Sequence, residues 1–285
     1  MPFELVALSP AVFFALSSIM TRRGLDGSTP HTGSLVVLIM QVVFFSLCLV
    51  AVDFSRISPS VYWLAFLAAG ISSPALSLMF LFRSIQRIGV ASTSPVSNTH
   101  PIFGAFWAFL VLGERPPAVV WVGILVVVAG VYIMSSGGGP LARGRVLLLP
   151  ISAAAFMGLA HTFRKMGLGG VESLVFGGFL QSVSACALGP LILKASTGWS
   201  PFVFNKASLG NFILAGLAMA AAQLCLMAAL SLGEVSRVTP LVATVPLFML
   251  VLAPLILGKR EKITPRIVLG VLVTVAGVIL VTSLR

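Results

Sequence analysis

GVASTSPVSNTHPIFGAFWAFLVLGERPPAVVWVGILVVVAGVYIM, residues 89–134, is written twice in this chain. The second writing, residues 234–280, is EVSRVTPLVATVPLFMLVLAPLILGKREKITPRIVLGVLVTVAGVIL. Pro95, Thr99, Pro101, Phe103 and Gly113 return 145 positions later as Pro240, Thr244, Pro246, Phe248 and Gly258. Glu114, Gly123 and Gly130 return 147 positions later as Glu261, Gly270 and Gly277, the extra pair being Lys259 and Arg260. Prolines, turn residues and glycines keeping one register in apolar sequence mark an internal duplication, through which the rest of the chain is read.

Composition sets the solvent. Of 285 residues 58% are hydrophobic and 9% charged, with a mean hydropathy of +1.10, whereas soluble domains carry about 25% charged residues. Ten apolar runs of membrane-spanning length follow: 3–21, 32–52, 60–82, 90–112, 117–135, 146–163, 171–193, 209–230, 235–257 and 266–284. Backbone amides in lipid must be paired internally, so these runs predict helices, and the alternation of a membrane barrel strand is absent. The expected fold is all-α and integral to the membrane, and no cleavable signal peptide is expected.

The linker SSGGGPLARGR (135–145) divides the runs five and five. The expected units are residues 1–135 and 146–285, joined by the Gly/Pro-rich linker 136–145. An odd number of spans per copy makes the second copy enter from the other side, giving inverted repeats around a central cavity. The net charge of +11 lies almost wholly in short connectors, a topology signal and not a nucleic-acid footprint. Counted by side, twelve Lys and Arg against six place both termini outside. Cys48, Cys186 and Cys225 lie in apolar runs and form no CxxC pair, so they read as small buried hydrophobes.

At this point the chain resembles a known family. Gly89-Val90, Ser94-Pro95, Pro101, Leu112-Gly113-Glu114, Gly123 and Gly130-Val131 carry the resemblance in the first half. Val235, Thr239-Pro240, Pro246, Leu257-Gly258, Glu261, Gly270 and Gly277-Val278 carry it in the second. The pattern resembles EamA-type members of the drug/metabolite transporter superfamily. That resemblance implies ten helices as two inverted five-helix repeats around a central cavity, moving small organic solutes by alternating access. It also implies a bacterial inner-membrane location. The GKRE turn departs from the usual GE, and the charge count opposes the cytoplasmic termini frequent in that family.

The run 90–112 is the most polar of the spans. At helical spacing Ser94, Asn98 and Pro101 share one face, with Ser97 and His100 on the adjoining stripe. Prolines 95, 101, 240 and 246 each free a carbonyl one turn back. Such groups line binding cavities in transporters, the plainer alternative being a kinked helix capped by its own Ser and Asn. Asn98, His100, Thr99, Ser94 and Thr244 are therefore candidate solute contacts, with the four prolines as hinges. The 143-residue echo of TRRGLDG in FRKMGLGG sets His161 at the place of Ser18. That puts an imidazole and a hydroxyl across the pseudo-axis as further candidate solute contacts, a packed or interfacial His being the alternative. Gln41, Gln181 and Gln223 read as helix-joining glue, Gln223 being kept as a candidate contact. Arg83 would take a carboxylate or phosphate in forked geometry if it faced the cavity, or else snorkel to the interface. A lipid or phosphorylated-metabolite translocase using Arg83 is the alternative function.

No carboxylate lies in the middle of a run, where a proton relay or cation site would be expected, so proton antiport, which would have to use His100 or His161, is the second reading. No HExxH or paired-Asp motif is present, and the expectation is a transporter without enzymatic activity, metal or cofactor. A facilitator or exchanger of amino acids or similar amphipathic metabolites, working outward, is the leading reading. A glycine every seven positions in the fifth and tenth runs predicts close helix contact, with a monomer expected and a dimer seam the alternative.

Overall fold

The computed structural model describes residues 3–52, 60–135, 144–171, 173–197, 202–257 and 264–283. Among these residues every regular element is helical: α1 (Phe3–Gly24), α2 (Pro30–Leu49), α3 (Tyr62–Gly70), α4 (Ser77–Ser97), α5 (His100–Trp107), α6 (Ala118–Ser135), α7 (Leu148–Leu168), α8 (Leu174–Thr197), α9 (Lys206–Leu232), α10 (Val235–Val242), α11 (Val245–Leu257) and α12 (Pro265–Thr282). A π-helical turn, Ile71–Leu76, joins α3 to α4, and another, Ala108–Leu112, ends α5. Among the described residues eight stretches are long and apolar enough to cross a membrane, and Ala118–Met134 is a shorter apolar helix. Leu47, Leu255 and Leu272 are among many large apolar side chains left exposed, an exterior suited to lipid and not to water. Helix starts follow local chemistry: Thr29 precedes Pro30 and Thr264 precedes Pro265, each hydroxyl accepting an amide of the first turn.

The chain folds back inside the helical stretch that ends at Ser97. Ser84 Oγ and Thr93 Oγ1 lie 2.8 Å apart. An unbroken α-helix separates residues nine apart by about 13.5 Å along its axis. The reversal therefore lies between them, where the sequence has Gly89.

Both copies of the duplicated stretch break at the same register. Asn98-Thr99 and Ala243-Thr244 are turns between helices. Thr99 Oγ1 donates to Val96 O at 2.7 Å and Thr244 Oγ1 to Leu241 O at 2.6 Å. The following helices restart with Ile102 N on Thr99 O and Leu247 N on Thr244 O. Pro101 and Pro246 explain the break, since neither has an amide to continue the preceding helix.

The halves are joined by two kinds of close approach. Phe66, between α7 and α8, fits where a Cβ on Gly167 or Gly177 would stand. Phe212 of α9 fills the matching space at Gly24 of α1 and Gly33 of α2. Both rings are fully buried. The second approach is α6 on α12. A Cβ on Gly277 would lie 2.6 Å from Val127 N and 3.0 Å from Gly123 O, and one on Gly130 would lie 2.5 Å from Thr274 N. Position 123 meets 277 while 130 meets 270 and 274, so the two helices run antiparallel.

Glu114 adds a long-range cap. Its carboxylate accepts from Val235 N at 2.8 Å and Ser236 N at 3.1 Å, holding the positive end of α10. Its counterpart Glu261 lies outside the described residues.

Gly277→Val places atoms against the Val127 backbone and is expected to cost about 1–3 kcal/mol or more. Gly210→Ala, with nothing within 4 Å of its added carbon, leaves the melting temperature level or raises it. Glu114→Ala removes both acceptors from α10 and is expected to cost about 1–2 kcal/mol. Thermal unfolding in detergent reads all three.

Candidate functional site

The third apolar run is interrupted at Ser73, which is extended (φ −151°, ψ 123°) within otherwise helical backbone. Pro74 follows, and the residue before a proline is driven from helical to extended geometry. The interruption turns the Ser73 carbonyl toward α7. Arg164 Nη2 donates to it at 3.3 Å, Arg164 Nε donates to Gln181 Oε1 of α8 at 2.7 Å, and Arg164 Nη1 lies 3.1 Å from His161 Nδ1. Arg164 is 2% exposed. It lies just beyond the sixth apolar run (146–163), but α7 continues to Leu168 and carries it inside. Lys165 points the other way and donates to Leu230 O and Gly233 O, capping the C-terminal end of α9.

A guanidinium has five N–H donors and no acceptor. These contacts occupy three, and all the partners are neutral. Because Arg164 can only donate, His161 Nδ1 accepts, which places the proton of the neutral ring on Nε2. That Nε2 is buried without a partner. The His100 ring of α5 lies 5.9 Å from the His161 ring, centroid to centroid, and its own Nε2 is also buried and unpartnered. The centre thus holds one positive charge and an excess of donors.

Above these rings α5 crosses α7 at backbone contact: a Cβ on Gly158 would lie 2.5 Å from Gly104 N. Trp107 Nε1 donates to Ala155 O at 3.2 Å, and Phe80 stacks on Phe156 with centroids 5.6 Å apart. Beside the Ser73 interruption, Pro74 and Ala75 face His31, Ser34, Leu38 and Pro190 across a cleft of about 30 Å³. That is room for about two waters at ~10–15 Å³ each.

The residues singled out from the sequence fall in several places. His100 and His161 meet. Asn98 and Thr99 form the turn immediately before His100, and Thr244 occupies the matching turn. Pro95, Pro101 and Pro240 are buried, and Pro246 is partly so. His161 and Ser18 are not brought together: Ser18 is exposed and donates to Phe14 O, while its neighbour Ser17 is the buried hydroxyl, on Ala215 O. Arg83 is half-buried on α4. Gln223 is buried in α9 with Oε1 unpartnered, and Gln181 is the residue that receives Arg164. The Ser94 side chain lies outside the described residues. Among the described residues no group of three His, Cys, Asp or Glu could hold a metal ion. Arg164 was missed because Arg-Lys at a run's end reads as a loop. The usable signal was its spacing: three residues after His161 is one helical turn.

A family model described as "EamA-like transporter family" matches residues 1–136 and again 144–283. A solved structure titled only "Crystal structure of protein" superposes with a TM-score of 0.81 at 13% identity, covering 99% of this chain and 96% of that one. At that identity the likeness is one of fold. No curated protein gives a significant sequence match.

Gln181→Leu leaves Arg164 Nε without its acceptor in buried surroundings and is expected to cost about 1.5–3 kcal/mol. Arg164→Leu combined with Gln181→Leu is expected to recover most of that loss, because no stranded charge remains. Thermal unfolding of the singles and the double reads the coupling.

Proposed function

The chain belongs to the EamA-like transporter family, and we propose that it is a secondary transporter exporting small organic metabolites, amino acids or similar amphipathic solutes, across a bacterial inner membrane. In this reading the ten apolar runs are ten spans, forming two five-span units of opposite sense that open alternately to either side. The antiparallel α6–α12 pair and the reciprocal seats of Phe66 and Phe212 support the opposite sense. Lipid covers the apolar exterior, and a single copy is the working unit, since the small-residue seam is satisfied within one chain.

The observation that carries the proposal is the pair of unwound turns at Asn98-Thr99 and Ala243-Thr244. An inert scaffold has no use for the same helix break in both copies. In a transporter such breaks offer backbone groups and a hinge to the solute path. His100 stands one residue beyond the first break, buried and facing His161. The described carboxylates keep to helix ends and connectors: Glu4 in the first turn of α1, Asp26 after it, Glu114 capping α10 and Glu234 beginning it. That arrangement favours a facilitator or exchanger over a carboxylate proton relay.

Asn98→Ala and His100→Ala are expected to cut solute uptake into proteoliposomes at least several-fold while folded yield stays at the wild-type level. Normal transport by both variants would remove these residues from the solute path.

A further inference from the structure

The repeats make one feature stand out, because it is not repeated. With the 143-residue offset, Arg164 corresponds to Thr21 and His161 to Ser18. With the 145-residue offset, Ser73-Pro74 corresponds to Ala218-Met219, which lies inside the unbroken helix α9. The buried guanidinium, from the second half, and the carbonyl turned to meet it, from the first, therefore make a contact across the halves that the twin positions, Thr21 and Ala218, cannot repeat. Maintenance of the common fold does not require them, since the first half folds on the same plan without the guanidinium and the second without the interruption.

The chemistry of the cluster is one-sided. Arg164 keeps two N–H groups beyond those used on Gln181, His161 and Ser73. His161 Nε2 carries a proton with nowhere to go, and His100 Nε2 is a second unpartnered nitrogen on the adjoining ring. Lys165 is committed to the carbonyls ending α9. A buried cation in a membrane protein is costly unless it is paired or functional, and this one's protein partners are all neutral.

We infer that Arg164, His161 and His100 form the receiving site for the carboxylate group of an organic anion, the remaining guanidinium fork and the His161 Nε2–H being the donors that hold it. One guanidinium with two spare donors matches one carboxylate in forked geometry. A phosphate dianion would call for a second free cation, and Lys165 does not supply it. The inference rests on the transport reading and deepens it by naming the solute class. Gln181 is a positioning residue: it fixes Nε and so leaves the outer edge of the fork for the solute.

Counterflow into proteoliposomes tests this with radiolabelled benzoate, succinate and L-phenylalanine as carboxylates, and phenethylamine and glucose as probes without one. At least one carboxylate is expected to move and to raise the melting temperature, and neither of the others should. Gln181→Glu places an internal carboxylate against Arg164 Nε. It is expected to match or exceed wild type in thermal stability and yet lose carboxylate transport at least tenfold. Arg164→Gln is expected to lose it as well, with Arg164→Lys retaining a reduced share. If carboxylates move equally well through Gln181→Glu, Arg164 is only a helix tie and the inference fails. Movement of phenethylamine or glucose alone would overturn it while leaving the transport reading intact. If none of the five probes moves or shifts the melting temperature, the transport reading falls with it.

Discussion

Backbone touching backbone at glycine is the constraint from which the rest of this molecule follows. In lipid there is no hydrophobic force to press one apolar helix onto another, so association depends on how near the helix axes can come. Here α6 and α12 approach until a single added carbon on Gly130 or Gly277 would meet a backbone nitrogen of the facing helix. The rings of Phe66 and Phe212 use the same device between the halves, each lodged against two glycines. These contacts decide where α7 and α9 stand, and α7 carries two of the three ionisable groups at the centre, Arg164 and His161.

Given that frame, the polar centre depends on two departures from helix geometry. The Asn98-Thr99 turn lets α5 start again with His100 facing inward, and its counterpart at Ala243-Thr244 repeats the same hydrogen bonds. The Ser73 interruption is different in kind, because it has no counterpart and supplies a carbonyl to Arg164. The shared breaks follow the duplication and carry the transport reading. The unshared one is the feature from which the carboxylate site is inferred.

Much of the fold was legible in the residues. Apolar run length predicted helices, Pro101 and Pro246 pointed to the stretches where the twin breaks fall, and glycine at seven-residue spacing predicted that the fifth and tenth runs would pack together. His100, His161 and Gln181 were visible as polar groups in apolar surroundings. Arg164 was not, since Arg followed by Lys near a run's end has the composition of a connector. Whether such a side chain reaches water or is enclosed depends on α8 and on the Ser73 interruption, both far away in sequence. The same dependence on tertiary neighbours separated Ser17 from Ser18: one hydroxyl found Ala215 O, and the adjacent one folded back on Phe14 O.

The claim that the two copies lie in opposite senses is open to direct measurement at twin positions. Asp26, just after α1, and Gly169, just after α7, are 143 residues apart and both exposed. In a background with Cys48, Cys186 and Cys225 replaced by serine, Asp26→Cys and Gly169→Cys would each be treated with a membrane-impermeant thiol reagent in intact cells. The account predicts that one of the two is labelled at once and the other only after the membrane is opened. Labelling of both from the same side would contradict it.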